Sequence, residues 1–419
     1  MQRLIINGGR RLGGEIRVQG AKNSALPILA GCVLAGEEVK LYNIPELSDV
    51  FAALRILSCL GVRCTYEHGC VTADPTVIES VCVPDALMRE MRSSIVFLGA
   101  VLARTGECRL TFPGGCELGP RPIDMHIRAL RQLGVSITEK YGELICSCPH
   151  RLKGAVINLP FPSVGATENV MLCASMADGE TVINNAAREP EIEDLAGFMR
   201  AIGAKVSVSP SGTVKIKGVK KLRGGQYTVM PDRICAATYM AAAAAAGGEI
   251  TLTGTVPSHL NAVTEVFGQA GCLVAESGDK IFLSAKKPLK AVREIQTLPY
   301  PAFPTDAQAP VMAMLTKAEG TSVITENIFT SRFRHVDELA RMGADISTEG
   351  RTAVIRGVKK LYGAKVMAPD LRGGAALVCA ALAAEGETTV TNIKLIDRGY
   401  ESIEKTLTEL GADIRREKS

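Results

Sequence analysis

"AIGAKVSVSPSGTVKI", residues 201–216, reads as a helix-ending glycine, a strand, a Pro-Ser-Gly turn and a second strand. The arrangement recurs as "CLGVRCTYEHGCVTA", "QLGVSITEKYGELIC", "QAGCLVAESGDKIFL", "RMGADISTEGRTAVI" and "ELGADIRRE". The glycines concerned are Gly61, Gly134, Gly203, Gly271, Gly343 and Gly411, at spacings of 73, 69, 68, 72 and 68 residues. A period that regular across the chain marks a repeat architecture.

A second marker accompanies each unit. An Ala-rich helical run ends in glycine and leads into a strand, as in "MLCASMADGETVINN" (171–185) and "ALVCAALAAEGETTVTN". A second helix follows, for example "EIEDLAGFMRAIGA" (191–204), and ends at the repeat glycine. One unit therefore reads helix, strand, helix, strand, strand, and six units make an α/β protein. The Ala-rich helices are apolar nearly all round, so each is expected to be buried. The last unit stops after "ADIRRE" without its final strand, and "RLIINGG" (3–9) is expected to complete it. The two chain ends then share one domain, and the middle of the chain forms another.

Composition excludes several classes. The 419 residues are 47% hydrophobic and 22% charged, as in a soluble globular protein of two or three domains. Aromatics are 4% and Trp is absent, so the core must be aliphatic. The net charge of +4 is too small to argue for a nucleic-acid or membrane partner, though it allows a local basic cleft, and neither partner is expected. Thirteen scattered cysteines, with "CSC" at 146–148 the closest approach to a metal spacing, read as small core residues in a reducing cytoplasm. The N-terminus is no signal peptide, and the longest apolar run, 236–246, is too short to span a bilayer.

The six segments before the Ala-rich helices are "VQGAKNSA", "MREMRSSI", "FPSVGATE", "MPDRICA", "AFPTDAQA" and "MAPDLRGG". Asp232, Asp306 and Asp370 are the residue type that caps helices. Lys22, Arg92, Arg233 and Arg372 occupy the same zones. Helix starts bind anions through free N–H groups, so two facing three-unit domains could line one polyanion site. In "FPGGCELGPRP" (112–122) a longer Gly- and Pro-rich stretch replaces the short turn of the other units and sets Cys116 close to Arg121. It reads either as a plain turn or as a lid with a thiol beside a guanidinium.

At this point "GAKNSALPIL" (20–29), "PGGCELGPRPIDMHI" (113–127), "PSVGATEN" (162–169), "AAREPEIEDL" (186–195), "AFPTDAQA" (302–309), "FTSRFRHVDEL" (329–339), "MAPDLRGGAALV" (367–378) and "IDRGYE" (396–401) carry a resemblance. The chain resembles the UDP-N-acetylglucosamine 1-carboxyvinyltransferases of the enolpyruvyl transferase family, from its first strand to its last helix. The resemblance implies a two-domain inside-out α/β barrel of six repeats, three per domain. Domain I would span 21–229, and domain II 1–20 with 230–419. It also implies an open–closed motion about a cleft. The implied activity moves the enolpyruvyl group of phosphoenolpyruvate to the 3′-hydroxyl of UDP-N-acetylglucosamine and releases phosphate. This is the first committed step of peptidoglycan synthesis, carried out in the cytoplasm by an expected monomer with no cofactor and no metal.

By the same resemblance Cys116 donates the proton to the enol CH2 and forms a covalent adduct with phosphoenolpyruvate. Asp306 positions and deprotonates the sugar hydroxyl. Lys22, Arg121 and Arg398 hold the phosphoenolpyruvate anion, joined by Arg92 and Arg372 unless those two are surface ion-pair partners. Asn23 bonds the intermediate and the sugar. Arg121, Pro122, Ile123, Asp124 and Met125 face the uracil end; Ser163, Val164 and Gly165 offer N–H groups to the diphosphate; Ile328 contacts the sugar through its backbone. Glu189 either tunes the Cys116 loop or is structural, and Asp124 and His126, at a helix start, either meet a ligand or only order that loop.

Two positions depart from the family pattern. Phe161 stands near where some members carry a lysine, and Cys235 stands where Glu is common. Three rivals remain: the sister enzyme acting on shikimate 3-phosphate, which lacks the Cys loop; a non-enzymatic nucleotide-sugar binder; and an enzyme of nucleic-acid ends.

Overall fold

The six repeat glycines all take the left-handed backbone that glycine alone adopts without strain. Their φ angles are +99° at Gly61, +93° at Gly134, +99° at Gly203, +86° at Gly271, +91° at Gly343 and +93° at Gly411. Each follows a helix and turns the chain into a strand. A computed structural model describes residues 2–114 and 123–418 of the chain.

The quoted stretch shows the pattern. Helix Pro190–Ala201 ends at Gly203, and Lys205–Ser209 pairs antiparallel with Thr213–Lys217. Thr213–Lys217 then pairs with Glu180–Asn184. A fourth strand, Val156–Asn158, lies parallel to Glu180–Asn184 at the edge. Ile295–Thr297 and Lys365–Met367 fill the same place in two other sheets. These three-residue strands are too short to show a period, so the sequence reading missed them.

Contacts divide the chain into residues 20–114 with 123–230, and residues 2–19 with 231–418. The first unit holds the sheets built on Val39–Tyr42, Glu107–Thr111 and Glu180–Asn184; the second holds those built on Glu249–Thr253, Thr321–Glu326 and Glu387–Thr391. In each unit one parallel edge strand comes from a distant part of the chain. Gly225–Thr228 pairs with Val39–Tyr42, and Gly13–Arg17 pairs with Glu249–Thr253. Strand Gln2–Asn7 inserts between Glu387–Thr391 and Asp413–Lys418, antiparallel to both, and so completes the last repeat.

The Ala-rich helices lie inside and the sheets outside. Arg233–Ala245, Thr305–Leu315 and Leu371–Ala383 pack on one another, and every residue of the first is buried. Lys22–Gly31, Phe97–Thr105 and Val164–Ala174 take the equivalent places in the other unit. A helix covered on all sides must be small and apolar all round. Gly99 shows how close the approach is: a Cβ there would stand 2.2 Å from the Asn169 carbonyl oxygen. The sheets of a unit are separate, and among the described residues they do not join into one hydrogen-bonded ring. No helix among the described residues is long and apolar enough to cross a membrane.

Candidate active site

In the unit of residues 20–230, Lys22 is the first residue of its central helix and Asn23 the second. Lys22 is only 8% exposed, and its Nζ donates to Asp49 Oδ2 at 3.1 Å. A buried ammonium needs such a partner, and the pair fixes where its charge points. Ser24 Oγ, one turn-step on, donates to Asp194. Asp194 also accepts from Tyr227 at 2.7 Å and from the Met230 N–H at 3.2 Å. Burial raises the Asp194 pKa, and these donors oppose the rise. Asp49 and Asp194 were not singled out in the sequence, because each reads there as an ordinary helix acid.

Ser163 caps helix Val164–Ala174, its Oγ accepting from the Ala166 N–H at 3.4 Å. The N–H groups of Val164 and Gly165 have no intrahelical acceptor at this end, which is the arrangement that binds anions. The His126 ring packs against Gly165: a Cβ there would meet Cε1 at 3.2 Å. His126 Nδ1 lies 3.0 Å from Asn169 Nδ2. Asn169 Nδ2 also donates to the Ile95 carbonyl, and its Oδ1 accepts from the Gly99 N–H. His126 Nδ1 is therefore an acceptor, and the neutral ring carries its proton on Nε2. Burial, helped by the nearby Arg92 charge and opposed by Asp124, pushes the His126 pKa down to about 4.

Arg92 opens a short 3-10 turn, Arg92–Val96, and donates to the Pro113 carbonyl at 3.1 Å. Ile123 is buried, Asp124 starts helix Asp124–Gln132 and lies 4.0 Å from Arg128, and Met125 packs against the unit's core. Glu189 stands at the start of helix Pro190–Ala201. Buried Glu168 is driven toward its neutral form by desolvation and by the charges of Glu191 and Glu189. Phe161 is 42% exposed, and its carbonyl accepts from the Ser163 N–H. Cys116, Arg121 and Pro122 lie outside the described residues.

In the unit of residues 2–19 and 231–418, the expected caps divide. Asp232 and Asp370 cap their helices, each accepting two backbone N–H groups through Oδ1. Asp306 does not cap. It is the second residue of helix Thr305–Leu315, and Arg332 Nη2 donates to its Oδ1 at 2.7 Å. Arg372 Nη2 stands 3.7 Å from the other oxygen. Arg332 also donates to the Thr305 carbonyl at 3.0 Å and lies 5.6 Å over the Phe329 ring. Both guanidinium side chains are 2% exposed, whereas Asp306 is 28% exposed. The surface-ion-pair reading of Arg372 is therefore corrected: its side chain is buried.

Arg332 is the residue that sequence reasoning missed. Its only signal was an arginine between Ser331 and Phe333 in "TSRFRH", residues 330–335, a stretch that carries the resemblance but was given no role. Ile328 is also more constrained than expected. Its N–H donates to buried Glu326 at 2.9 Å, which leaves the carbonyl as its backbone group for a ligand. Arg398 ends the 3-10 turn Ile393–Arg398 and is half-buried. Cys235 is buried and its thiol donates to the Gly399 carbonyl at 3.2 Å. Among the described residues no group of three or more His, Cys, Asp or Glu is arranged to hold a metal ion.

Both units thus set cations and N–H groups at the starts of buried helices, and one adds a carboxylate held by arginines. The family model of EPSP synthase (3-phosphoshikimate 1-carboxyvinyltransferase) matches residues 6–407. The chain belongs to this enolpyruvyl transferase family. Within the family it is 50% identical over 416 residues to UDP-N-acetylglucosamine 1-carboxyvinyltransferase 2 of Caldanaerobacter subterraneus subsp. tengcongensis, covering 99% of this chain and 100% of the relative. It is 49% identical to UDP-N-acetylglucosamine 1-carboxyvinyltransferase 1 of Symbiobacterium thermophilum, covering 99% and 95%. Among solved enolpyruvyl transferase folds, NikO from Streptomyces tendae superposes with a TM-score of 0.89 at 24% identity, covering 100% of this chain and 99% of that one. EPSP synthase from Acinetobacter baumannii does so with 0.76 at 21% identity, covering 100% of both. These two likenesses establish the fold alone.

Proposed function

We propose that this chain transfers the enolpyruvyl group of phosphoenolpyruvate to the 3′-hydroxyl of UDP-N-acetylglucosamine and releases phosphate, the first committed step of peptidoglycan synthesis. The observation that carries the reading is the likeness, near half identity over almost the whole chain, to enzymes bearing that activity's name. The intact charged set at the helix starts supports it.

The chemistry needs a proton at the enol CH2, a group to take the hydroxyl proton, and cations for a phosphate and a carboxylate. Cys116 supplies the proton to the CH2, which becomes CH3; the thiolate left behind can then add to the adjacent, now electrophilic carbon and give a covalent thioether adduct. Asp306 takes the hydroxyl proton. Its Oδ1 is fixed by Arg332 while the side chain stays partly open, so it can be oriented and still meet substrate. Lys22, Arg92, Arg121, Arg372 and Arg398 hold the phosphoenolpyruvate anion. A buried, pre-paired cation such as Lys22 gives fixed electrostatic stabilisation with little reorganisation. Asn23 bonds the sugar and the intermediate.

For the nucleotide sugar, the Val164 and Gly165 N–H groups, ordered by the Ser163 cap, receive the diphosphate. The Ile328 carbonyl meets the sugar, and residues 121–125 face the uracil. Phe161 offers no charge, so the diphosphate relies on backbone donors.

Phosphate release from phosphoenolpyruvate, measured with UDP-N-acetylglucosamine and separately with shikimate 3-phosphate, tests the reading. Release only with the nucleotide sugar is expected. Release only with shikimate 3-phosphate would overturn the acceptor, and release with neither would overturn the activity.

A further inference from the structure

Arg372 is almost wholly buried, and something other than solvent must set the direction of its guanidinium. Asp306 is 3.7 Å away, beyond hydrogen-bond length. The short contact is to Tyr400, whose hydroxyl oxygen accepts from Arg372 Nη1 at 3.0 Å. The Arg372 guanidinium carbon also lies 5.4 Å from the Tyr400 ring centre. Tyr400 is 0% exposed, so no water competes for this bond.

The polarity of the contact is fixed from the far side. The Thr238 hydroxyl donates to the Ile234 carbonyl at 2.9 Å, inside its own helix. Its single proton is spent there. The Tyr400–Thr238 contact of 2.8 Å must then run from the Tyr400 O–H to the Thr238 oxygen. Tyr400 therefore cannot turn its proton toward Arg372, and its lone pairs face the guanidinium. A directed chain runs from Arg372 through Tyr400 and Thr238 to the Ile234 carbonyl. It links helix Leu371–Ala383 to helix Arg233–Ala245 through the turn after Arg398. Beside it, the Cys235 thiol ties the same helix to the Gly399 carbonyl, the residue just before Tyr400.

We infer that Tyr400 is a positioning residue for Arg372, aiming the guanidinium toward the anionic substrate, an inference that rests on Arg372 holding phosphoenolpyruvate. Tyr400→Phe keeps the ring under the guanidinium and removes the hydroxyl that accepts from Arg372 and donates to Thr238. A lost hydrogen bond to a charged group predicts a KM for phosphoenolpyruvate raised about tenfold, which corresponds to about 1.4 kcal/mol. The KM for UDP-N-acetylglucosamine should stay within about twofold.

Thr238→Val removes the oxygen that fixes the hydroxyl's direction and should shift the same KM, by less. Melting temperature and far-UV circular dichroism of both variants check the fold. A merely structural tyrosine would lower the melting temperature and leave both KM values alone, or move them together; either result overturns the inference. If Tyr400→Phe does not fold, an unchanged phosphoenolpyruvate KM in folded Thr238→Val overturns it. An inactive parent protein would instead count against the proposed function.

Discussion

Arg332 donates to Asp306 at 2.7 Å from a side chain that is only 2% exposed, and the same nitrogen reaches the Thr305 carbonyl at 3.0 Å. Arg332→Met would strand a carboxylate and a carbonyl together. Turnover should fall about 100-fold, the scale of losing one preorganised donor. Arg332→Lys should recover little, because an ammonium cannot reproduce the fork. Steady-state phosphate release on both variants decides; near-normal turnover in Arg332→Met would remove Arg332 from the machinery.

Lys22 and Asp49 give a second test. Asp49→Asn keeps the shape and removes the charge opposite a buried ammonium. A loss of about 2 kcal/mol in unfolding free energy is expected, as for a hydrogen bond between charged groups. Denaturant titration of unfolding measures it. An unchanged midpoint would mean that Lys22 is carried by its other contacts.

The repeat glycines allow a test of backbone conformation alone. At Gly134, φ is +93° and a Cβ would meet nothing within 4 Å. Gly134→Ala should destabilise by about 1–2 kcal/mol through backbone strain, and Gly134→Asn by less. Thermal melts of the two variants give the order. Equal melting temperatures for parent and Gly134→Ala would show that the left-handed turn is not what fixes glycine there.

Buried neutral histidines predict acid sensitivity. Desolvation holds both His126 and His335 at a pKa of about 4, against 6.5 when exposed. Between pH 6.5 and 4 the unfolded chain binds protons that the folded chain refuses. Stability is therefore complete above pH 6.5 and falls as pH drops through that window, by up to about 1.4 kcal/mol per unit per histidine. His126→Gln should flatten part of the fall. Melting temperatures at pH 7.5 and 5.0 test this, and an identical drop in parent and variant would contradict it.

Cys116→Ser should lose most turnover yet still bind UDP-N-acetylglucosamine. Cys116→Asp keeps a proton donor and should stay active while escaping the thiol-alkylating epoxide fosfomycin. Covalent labelling of the aspartate variant by the epoxide would point to another target.

The fold was readable because its signals are local and periodic. Each repeat glycine must occupy a left-handed turn, and each Ala-rich run must be enclosed, so both leave a mark on the sequence. The short edge strands Val156–Asn158, Ile295–Thr297 and Lys365–Met367 leave none, since pairing with a neighbour rather than their own residues makes them strands. The same contrast holds at the site. Lys22, Asp306 and Arg372 announce themselves by standing at helix starts. Asp49, Asp194, Asn169 and Arg332 act through partners 27, 170, 43 and 26 residues away, and one-dimensional spacing cannot show such pairs.

The insertion of strand Gln2–Asn7 beside Asp413–Lys418 has a consequence during synthesis. Strand Gln2–Asn7 is made more than 400 residues before the strand it pairs with, because Gln2 pairs with Lys418. The unit closed by Gly225–Thr228 has all its strands once residue 228 has emerged, and can fold while translation continues. The other unit must keep an unpaired strand in solution until Asp413–Lys418 has emerged. Its closure carries the highest contact order in the molecule, which makes it the slower half to fold and the half more exposed to misassembly.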